Sequence, residues 1–267
     1  MKRLHLFEFQ DLPGLPASIR NMITDLLGKT IELGRLYHPV LGRLAAALET
    51  TGDRILFDLC SGGGGPLPGL RRSLADKHGL SVEVCLSDAY PNVHAFEHIA
   101  LREGSGLRFL SAPIDASNVP PELPGFRTLF SCLHHFEPEQ AVAILRDACE
   151  RGRGIGVFEI SERTFLGVAQ ALLGPIPAWF LTPFIRPLRL SRFALTYALP
   201  IVPALFVWDG VVSSLRTYTP DELRAMTQPL QRDDYRWEIG QVRHPFLPTR
   251  VTYLLGIPLR SHAKNGS

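Results

Sequence analysis

Apolar residues along the chain switch between the spacing of helices and that of buried strands. Over residues 17–48 they recur every three or four positions, and Gly28 and Gly34 interrupt the pattern, which predicts two helices. Short apolar runs of the kind found in buried parallel strands follow at 55–60, 82–87, 107–110, 128–133 and 155–160. Helices predicted to open at Pro66, Pro91 and Pro138 separate most of these runs, which favours right-handed crossovers in a parallel sheet.

The pattern changes twice more toward the end of the chain. Residues 165–208 are almost uncharged and rich in aromatic side chains, which predicts an apolar helical insertion. Thr219 and Glu222 form the signature of a capping box that opens a helix, and two alternating segments near 235–239 and 250–257 predict a hairpin. We therefore predict an α/β fold: a doubly wound, mostly parallel seven-stranded sheet with N-terminal helices, an insertion after the fifth strand and an antiparallel C-terminal hairpin. We expect five parts. Residues 1–52 form an N-terminal helical cap, 53–163 the ligand-binding core and 164–215 the apolar insertion. Residues 216–258 form a helix and a hairpin that complete the core, and 259–267 form a flexible tail.

Composition and charge exclude several classes of protein. The 267 residues are 45% apolar, so a sizeable core is expected, and 28 basic against 26 acidic residues argue against nucleic acid as a partner. Four cysteines show no metal-ligand or disulfide spacing, and we predict no metal site and a reducing, cytoplasmic location. Glu8 interrupts the N-terminal apolar run, so no signal peptide is predicted.

A glycine-rich turn at 58–65 joins the first predicted strand to the next helix. In doubly wound sheets such a turn lies at the ligand-binding edge, and its glycines let backbone approach an anionic group at the helix N-terminus. A dinucleotide fingerprint needs Gly or Ala at the sixth position, but Leu67 and Pro68 occupy it in the two registers. Nicotinamide and flavin dinucleotides are therefore disfavoured.

The spacing of Asp58, Gly62 and Gly64 resembles motif I of class I S-adenosylmethionine (SAM)-dependent methyltransferases, with Cys60 in place of a usual Gly. Asp88 ends the second strand, where the family places the carboxylate that binds ribose, and the segments 114–116 and 130–136 follow in the family's order. The resemblance implies a methyltransferase with SAM as cofactor. The cofactor-binding residues that it implies are Asp58, Cys60, Gly62, Gly64, Asp88, Ala89, Asp115, Ala116, Ser131 and Leu133.

The alternatives for these acids stay open, since Asp88 could cap the next helix and Asp115 could stabilise a turn. His134 and His135 end the fourth predicted strand and are candidate general bases, one facing the ligand and the other structural. Glu159 and Glu162 are alternative acid–base groups. A non-catalytic SAM-binding protein, or a dehydrogenase on a similar sheet, would carry parts of the same pattern.

The apolar insertion at 165–208 allows three interpretations. It could be a lid over an apolar pocket, a segment in peripheral contact with a membrane, or two spanning helices, and we favour the lid. A lid or membrane contact implies a small, apolar or lipid-like acceptor. The residues expected to line the lid are Tyr37, Trp179, Phe180, Tyr197 and Trp208.

Overall fold

The computed structural model describes residues 1–259, so all but the first residue of the predicted flexible tail lies outside the described residues. The helices of this part are α1 (Ala17–Gly34), α2 (Leu41–Thr51), α3 (Leu67–His78), α4 (Val93–Glu103), α5 (Pro138–Glu150), α6 (Phe165–Leu172), α7 (Pro175–Leu181), α8 (Leu190–Phe193), α9 (Ile201–Arg216) and α10 (Pro220–Thr227). The strands are β1 (Ile55–Asp58), β2 (Glu83–Leu86), β3 (Leu107–Phe109), β4 (Phe126–Phe130), β5 (Ile155–Glu159), β6 (Tyr235–Arg243) and β7 (Arg250–Pro258).

The strands of residues 1–259 form one sheet in the order β3-β2-β1-β4-β5-β7-β6. β1 to β5 pair in parallel, while β7 runs antiparallel to both β5 and β6. The strand order reverses between β1 and β4, so the carboxyl ends of these two strands flank the crevice in which doubly wound sheets bind ligands. The predicted fold class is confirmed.

Helices cover both faces of this sheet and bury its apolar strands. One core cluster lies under α2 and α3 and includes Leu44, Leu56 and Leu74, and another lies under α5 and α10 and includes Phe57, Leu129 and Ile144. The predicted capping box of α10 is present, because Thr219 accepts from the amide of Glu222 while the Glu222 carboxylate accepts from the amide of Thr219.

Two local predictions were wrong. α1 runs without a break through Gly28, because burial of Ile23, Leu26 and Ile31 outweighs the roughly 1 kcal/mol that one glycine costs a helix. β4 ends at Phe130 instead of continuing to Leu133, and Leu133–His135 form a short 3₁₀ turn. This turn directs the histidine side chains differently from an extended strand.

The apolar insertion folds as α6 to α9 and packs against the N-terminal helix. Its third core cluster joins buried residues of α1 to buried residues of the insertion; these are Met22, Ile23, Leu26, Ala178, Ile185 and Val202. The 20-residue segment Phe165–Phe184 is long and apolar enough to cross a membrane, and 190–198 with 201–216 forms a second apolar pair bent by 72°. The N-terminal helix therefore lies between the insertion and the glycine turn.

Candidate functional site

A buried carboxyl group anchors the glycine turn at the end of β1. Asp58 is 3% exposed and accepts hydrogen bonds from the Ser61 hydroxyl at 2.8 Å and from the Thr128 hydroxyl at 2.7 Å. Burial raises the pKa of Asp58 to about 7, although both hydrogen bonds act to lower it. The polar partners of Asp58 are therefore hydroxyl groups of the turn and of β4.

Asp88 connects the end of β2 to the same turn. One carboxylate oxygen accepts from the amide of Gly62 at 2.8 Å, and the other accepts from the amide of Tyr90 at 2.9 Å. Each oxygen has a second lone pair free for another donor, so the geometry is compatible with two ribose hydroxyls. The cap of α4 is instead Asn92, whose side chain accepts from the amide of Ala95, and Asp88 is thus available at the crevice.

The backbone of the turn requires glycine at several positions. Gly62, Gly64 and Gly65 all have positive φ, at 51°, 95° and 51°. A Cβ on Gly62 or Gly65 would meet open space, whereas one on Gly64 would lie 2.1 Å from Ile99 Cδ1, and one on Gly63 would lie 2.7 Å from Thr24 of α1. Gly62 therefore faces the crevice, while Gly64 is required for packing against α4.

The other predicted cofactor-binding residues differ in how far they are exposed to solvent. Ala89 and Asp115 are exposed, Ala116 and Leu133 are buried, and Cys60 is partly buried at the end of β1. The Asp115 carboxylate accepts from both the amide and the hydroxyl of Ser117, at 2.8 and 2.7 Å. This is the turn arrangement weighed as the alternative for Asp115, and a role toward adenine stays a prediction.

Ser131 and Tyr37 form a buried contact beside the end of β4. The Tyr37 hydroxyl lies 2.6 Å from Ser131 Oγ, and its ring meets Phe130 edge-on at 5.0 Å. Ser131 has a φ of 46°, a strained value for a non-glycine residue that is typical of functional sites. Because Tyr37 is 1% exposed, it lies in the core and not in a lid.

His134 is buried in the 3₁₀ turn after β4 and is held in one orientation. Its Nδ1 lies 2.8 Å from Glu159 Oε2 at the end of β5, and its ring is 2% exposed. Its Nε2 makes no hydrogen bond to any described residue. If Glu159 accepts the Nδ1 proton, Nε2 carries a lone pair, and this buried nitrogen lies 3.7 Å from Glu8 Oε1.

Glu8, Asp11 and Arg216 surround the two histidines. Glu8 is buried, with one oxygen 3.7 Å from His134 Nε2 and the other 3.9 Å from His135 Nε2. The Arg216 guanidinium contacts Glu8 at 3.3 Å, Asp11 at 2.8 Å and His135 Nδ1 at 3.2 Å. The 3₁₀ turn brings both rings to the same carboxylate, and which of the two histidines faces a ligand stays a prediction.

The electrostatics of this cluster follow from burial. Burial raises the pKa of Glu8 to about 7 against the opposing charges of His135 and Arg216. Burial also acts to raise the pKa of Asp11, but hydrogen bonds and charge from His135 and Arg216 hold it well below its ordinary value. Glu8, His134 and His135 each bring one candidate ligand atom within 4.8 Å of the others, a grouping that sequence spacing did not reveal. Arg216 already balances part of the negative charge, so we interpret the group as a charge cluster.

The N-terminal segment 3–11 carries the acids of this cluster across the histidine turn. Arg3 donates to the carbonyls of Phe136 and Arg216, and Asp209 of α9 accepts from the amide of Phe9. Glu8 was not predicted as a site residue, although a lone acid in an apolar run was a signal that the sequence offered. Arg216 gave no comparable signal, since its carboxylate partners Glu8 and Asp11 are more than 200 residues away in sequence.

The expected lid residues of the insertion do not cover the glycine turn. Phe180 is 70% exposed, and Trp179, Tyr197 and Trp208 are exposed as well. The expected lid over the site is not formed by these side chains, because the insertion packs on α1, and Thr24 of α1 is the side chain nearest Gly63. Glu162, the other acid–base candidate, is buried and accepts from Gln241 at 3.0 Å, outside the histidine cluster.

No protein-family model matches the chain, and no curated protein matches it by sequence. Solved structures resemble it at low identity. The plantazolicin methyltransferase BpumL, solved with S-adenosyl-L-homocysteine (SAH), aligns over 90% of this chain and 98% of its own, with a TM-score of 0.52 and 10% identity. An O-methyltransferase of neocarzinostatin biosynthesis, solved with SAH and a dihydroxynaphthoic acid, aligns over 91% of this chain and 59% of its own, with a TM-score of 0.53 and 15% identity.

An O-methyltransferase family 2 protein from Planctomyces limnophilus, solved with apigenin, gives a TM-score of 0.51 at 15% identity over 92% of this chain and 63% of its own. This chain thus spans about three fifths of the two O-methyltransferases and nearly all of the plantazolicin enzyme. Together with the strand order and the glycine turn at the switch point, these likenesses show that the chain has the fold of class I SAM-dependent methyltransferases.

Proposed function

We propose that the chain is a SAM-dependent methyltransferase that acts on a small molecule. The observation that carries the proposal is the convergence of the glycine turn, the Asp88 carboxylate and an oriented histidine at the carboxyl ends of β1, β2 and β4. Gly62 offers open backbone at the crevice, and Asp88 keeps lone pairs for ribose. These features fit SAM, whose sulfonium supplies an activated methyl group.

In this proposal, His134 is the general base. Glu159 fixes the imidazole through Nδ1, and Nε2 accepts the proton that a hydroxyl acceptor loses as its oxygen takes the methyl group. The buried cluster of Glu8 and Arg216 keeps bulk water away from Nε2 and supplies compensating charge beside it. His135 is a second candidate, since it contacts the same carboxylate.

The acceptor is proposed to be apolar, and the enzyme to work in the cytoplasm. Four free cysteines support a location in a reducing compartment, and the apolar character of 165–208 supports an apolar acceptor. Because Trp179 and Phe180 are exposed, the support for an apolar acceptor is an open apolar surface and not a closed lid.

Labelled methyl transfer tests the proposed reaction. The protein is incubated with methyl-labelled SAM and with lipid and phenolic extracts, and the organic phase is analysed for label. We expect wild type to label one small acceptor and His134→Ala to label it at least a hundredfold more slowly. Tight binding of SAH with no labelled product in any extract would support a non-catalytic SAM-binding protein instead.

A further inference from the structure

The insertion concentrates exposed apolar side chains in one part of the surface. Among residues 1–259, 25 large apolar side chains are exposed, and 14 of them lie in 165–208, about a sixth of the chain. Leu190 is 90% exposed, Phe165 85% and Phe180 70%. A soluble monomer rarely leaves so dense an apolar surface open to water, so we expect this surface to bind a partner.

Seven of these 14 side chains lie along α6, α7 and the turn between the two helices. The exposed positions recur at three- and four-residue spacing, the period of one helix face. They include Phe165, Ala169, Leu172, Ile176, Trp179 and Phe180. A helix on the surface of a soluble protein carries polar residues on this face, so the outer face of α6 and α7 is built for an apolar surrounding.

The opposite face of the same helices is packed against protein. Gly167, Gly174 and Ala178 are buried, and a Cβ on Gly167 would lie 2.2 Å from the Glu162 carbonyl oxygen. Ala178 belongs to the cluster with Met22 and Val202 of α1 and α9. The segment therefore has one protein-facing side and one exposed side, and it is not a helix surrounded by lipid.

The charge of the insertion indicates what kind of surface its apolar face binds. No acidic residue lies between Arg163 and Asp209, and the exposed charges of the insertion are Arg186 and Arg189. Arg192 is buried and paired with Asp25, so it does not contribute. Because the exposed charges of the insertion itself are cations, its apolar face is complementary to an anionic lipid surface, into which tryptophan and phenylalanine side chains readily insert.

We propose that the outer face of α6 and α7 docks this protein in the plane of an anionic membrane, as a monotopic attachment. Phe165–Phe184 has the length of a span, but its protein-facing side keeps it parallel to the bilayer surface. α9 connects this surface to the site, since it runs from exposed Ile201 to Arg216 in the histidine cluster, about 22 Å at 1.5 Å per residue. The attachment does not depend on the proposed methyl transfer.

Vesicle flotation of the full chain, without SAM or acceptor, tests the attachment. One set of vesicles is pure phosphatidylcholine, and the other contains an equal amount of phosphatidylglycerol. We expect wild type to float with both and more strongly with the anionic set. Leu172→Gln with Phe180→Gln is expected to weaken binding to both sets more than tenfold, because two apolar side chains no longer insert. Arg186→Gln with Arg189→Gln is expected to weaken only anionic binding, by roughly fivefold per arginine.

Leu101→Gln is the matched control, since Leu101 is 85% exposed on α4, away from the insertion. Its binding is expected to equal that of wild type, and thermal unfolding verifies that every variant is folded. Wild type that stays unbound with both vesicle types overturns the proposal, as does equal loss of binding in Leu101→Gln. A defined dimer in lipid-free solution that Phe180→Gln dissociates, with no flotation, also overturns it and assigns the face to a second copy of the chain.

Discussion

Burial controls the ionisation of Asp58 and Glu8, and this has a consequence for stability. Burial raises both pKa values to about 7, from ordinary values of 3.8 and 4.5. A carboxyl group with a raised pKa contributes stability below its ordinary pKa, and this contribution is lost as pH rises through the folded-state value. Asp11 and Glu222, whose pKa values are lowered, act in the opposite direction at more acidic pH.

We therefore predict that the free energy of unfolding falls as pH rises from about 4.5 to 7, by a few kcal/mol, since one pKa unit corresponds to about 1.4 kcal/mol. Urea denaturation at a series of pH values measures this. Asp58→Asn is expected to flatten the profile, because the amide cannot ionise and the hydroxyls of Ser61 and Thr128 can rotate to accept from it. An unchanged slope in this variant would show that Asp58 does not carry the effect.

His134 is predicted to act in the transition state only. His134→Ala should lower kcat by about a hundredfold or more while SAH affinity stays within a few-fold, because the base contributes to proton transfer and not to cofactor binding. His135→Ala, which removes a less buried ring at the same carboxylate, is the comparison, and we expect at most one of the two to be severely impaired. Wild-type turnover in both single variants would move the base to Glu159 or Glu8.

Glu159 is predicted to be a positioning residue. Glu159→Gln keeps a partner for the Nδ1 proton of His134 but removes the charge that stabilises an imidazolium. The acidic limb of the pH–rate profile, on which the histidine must lose its proton to act as a base, should shift to lower pH in this variant, because the imidazolium is less stable without the neighbouring carboxylate. A profile identical to wild type, with lowered stability alone, would indicate a structural role.

At the scale of elements, two glycines of the glycine turn have different expected roles, Gly62 in cofactor binding and Gly64 in packing. Gly62→Val is predicted to abolish SAH binding at a stability cost of about 1–2 kcal/mol, because its side chain enters open space in the left-handed region. Gly64→Val is predicted to destabilise the protein more, because its side chain collides with Ile99. Calorimetric titration and urea denaturation of the pair test this, and SAH binding retained by a folded Gly62→Val would place the cofactor elsewhere.

The elements differ in how far the sequence alone predicts them. β1, β2 and β5 were predictable because a parallel strand buried on both faces is a short apolar run, and the capping box of α10 was predictable from Thr219 and Glu222. The end of β4 was not, because a 3₁₀ turn with two histidines has no distinct apolar period. The course of α1 through Gly28 depended on tertiary burial, which local propensity does not contain.

At the scale of the whole molecule, the candidate site combines predictable and unpredictable parts. The ends of parallel strands must meet at one edge, so Asp58, Asp88 and His134 could be placed together from their order alone. Glu8 and Arg216 could not, because they reach the site through the N-terminal segment and α9, whose path depends on long-range packing. The exposure of the aromatic side chains in the insertion was not predicted either, since composition shows that a segment is apolar but not which way its side chains face.

The central claim is that this molecule binds SAM at the glycine turn, and calorimetric titration with SAH tests it most directly. Wild type should bind SAH at one site and show no heat with NAD, and Asp88→Ala should bind SAH more than tenfold more weakly, since it loses charge-assisted hydrogen bonds to ribose. Asp221→Ala, at an exposed acid in the first turn of α10, is the control and should bind SAH like wild type, and thermal unfolding verifies each fold. Equal SAH affinity in a folded Asp88→Ala, or binding of NAD without binding of SAH, would contradict the account.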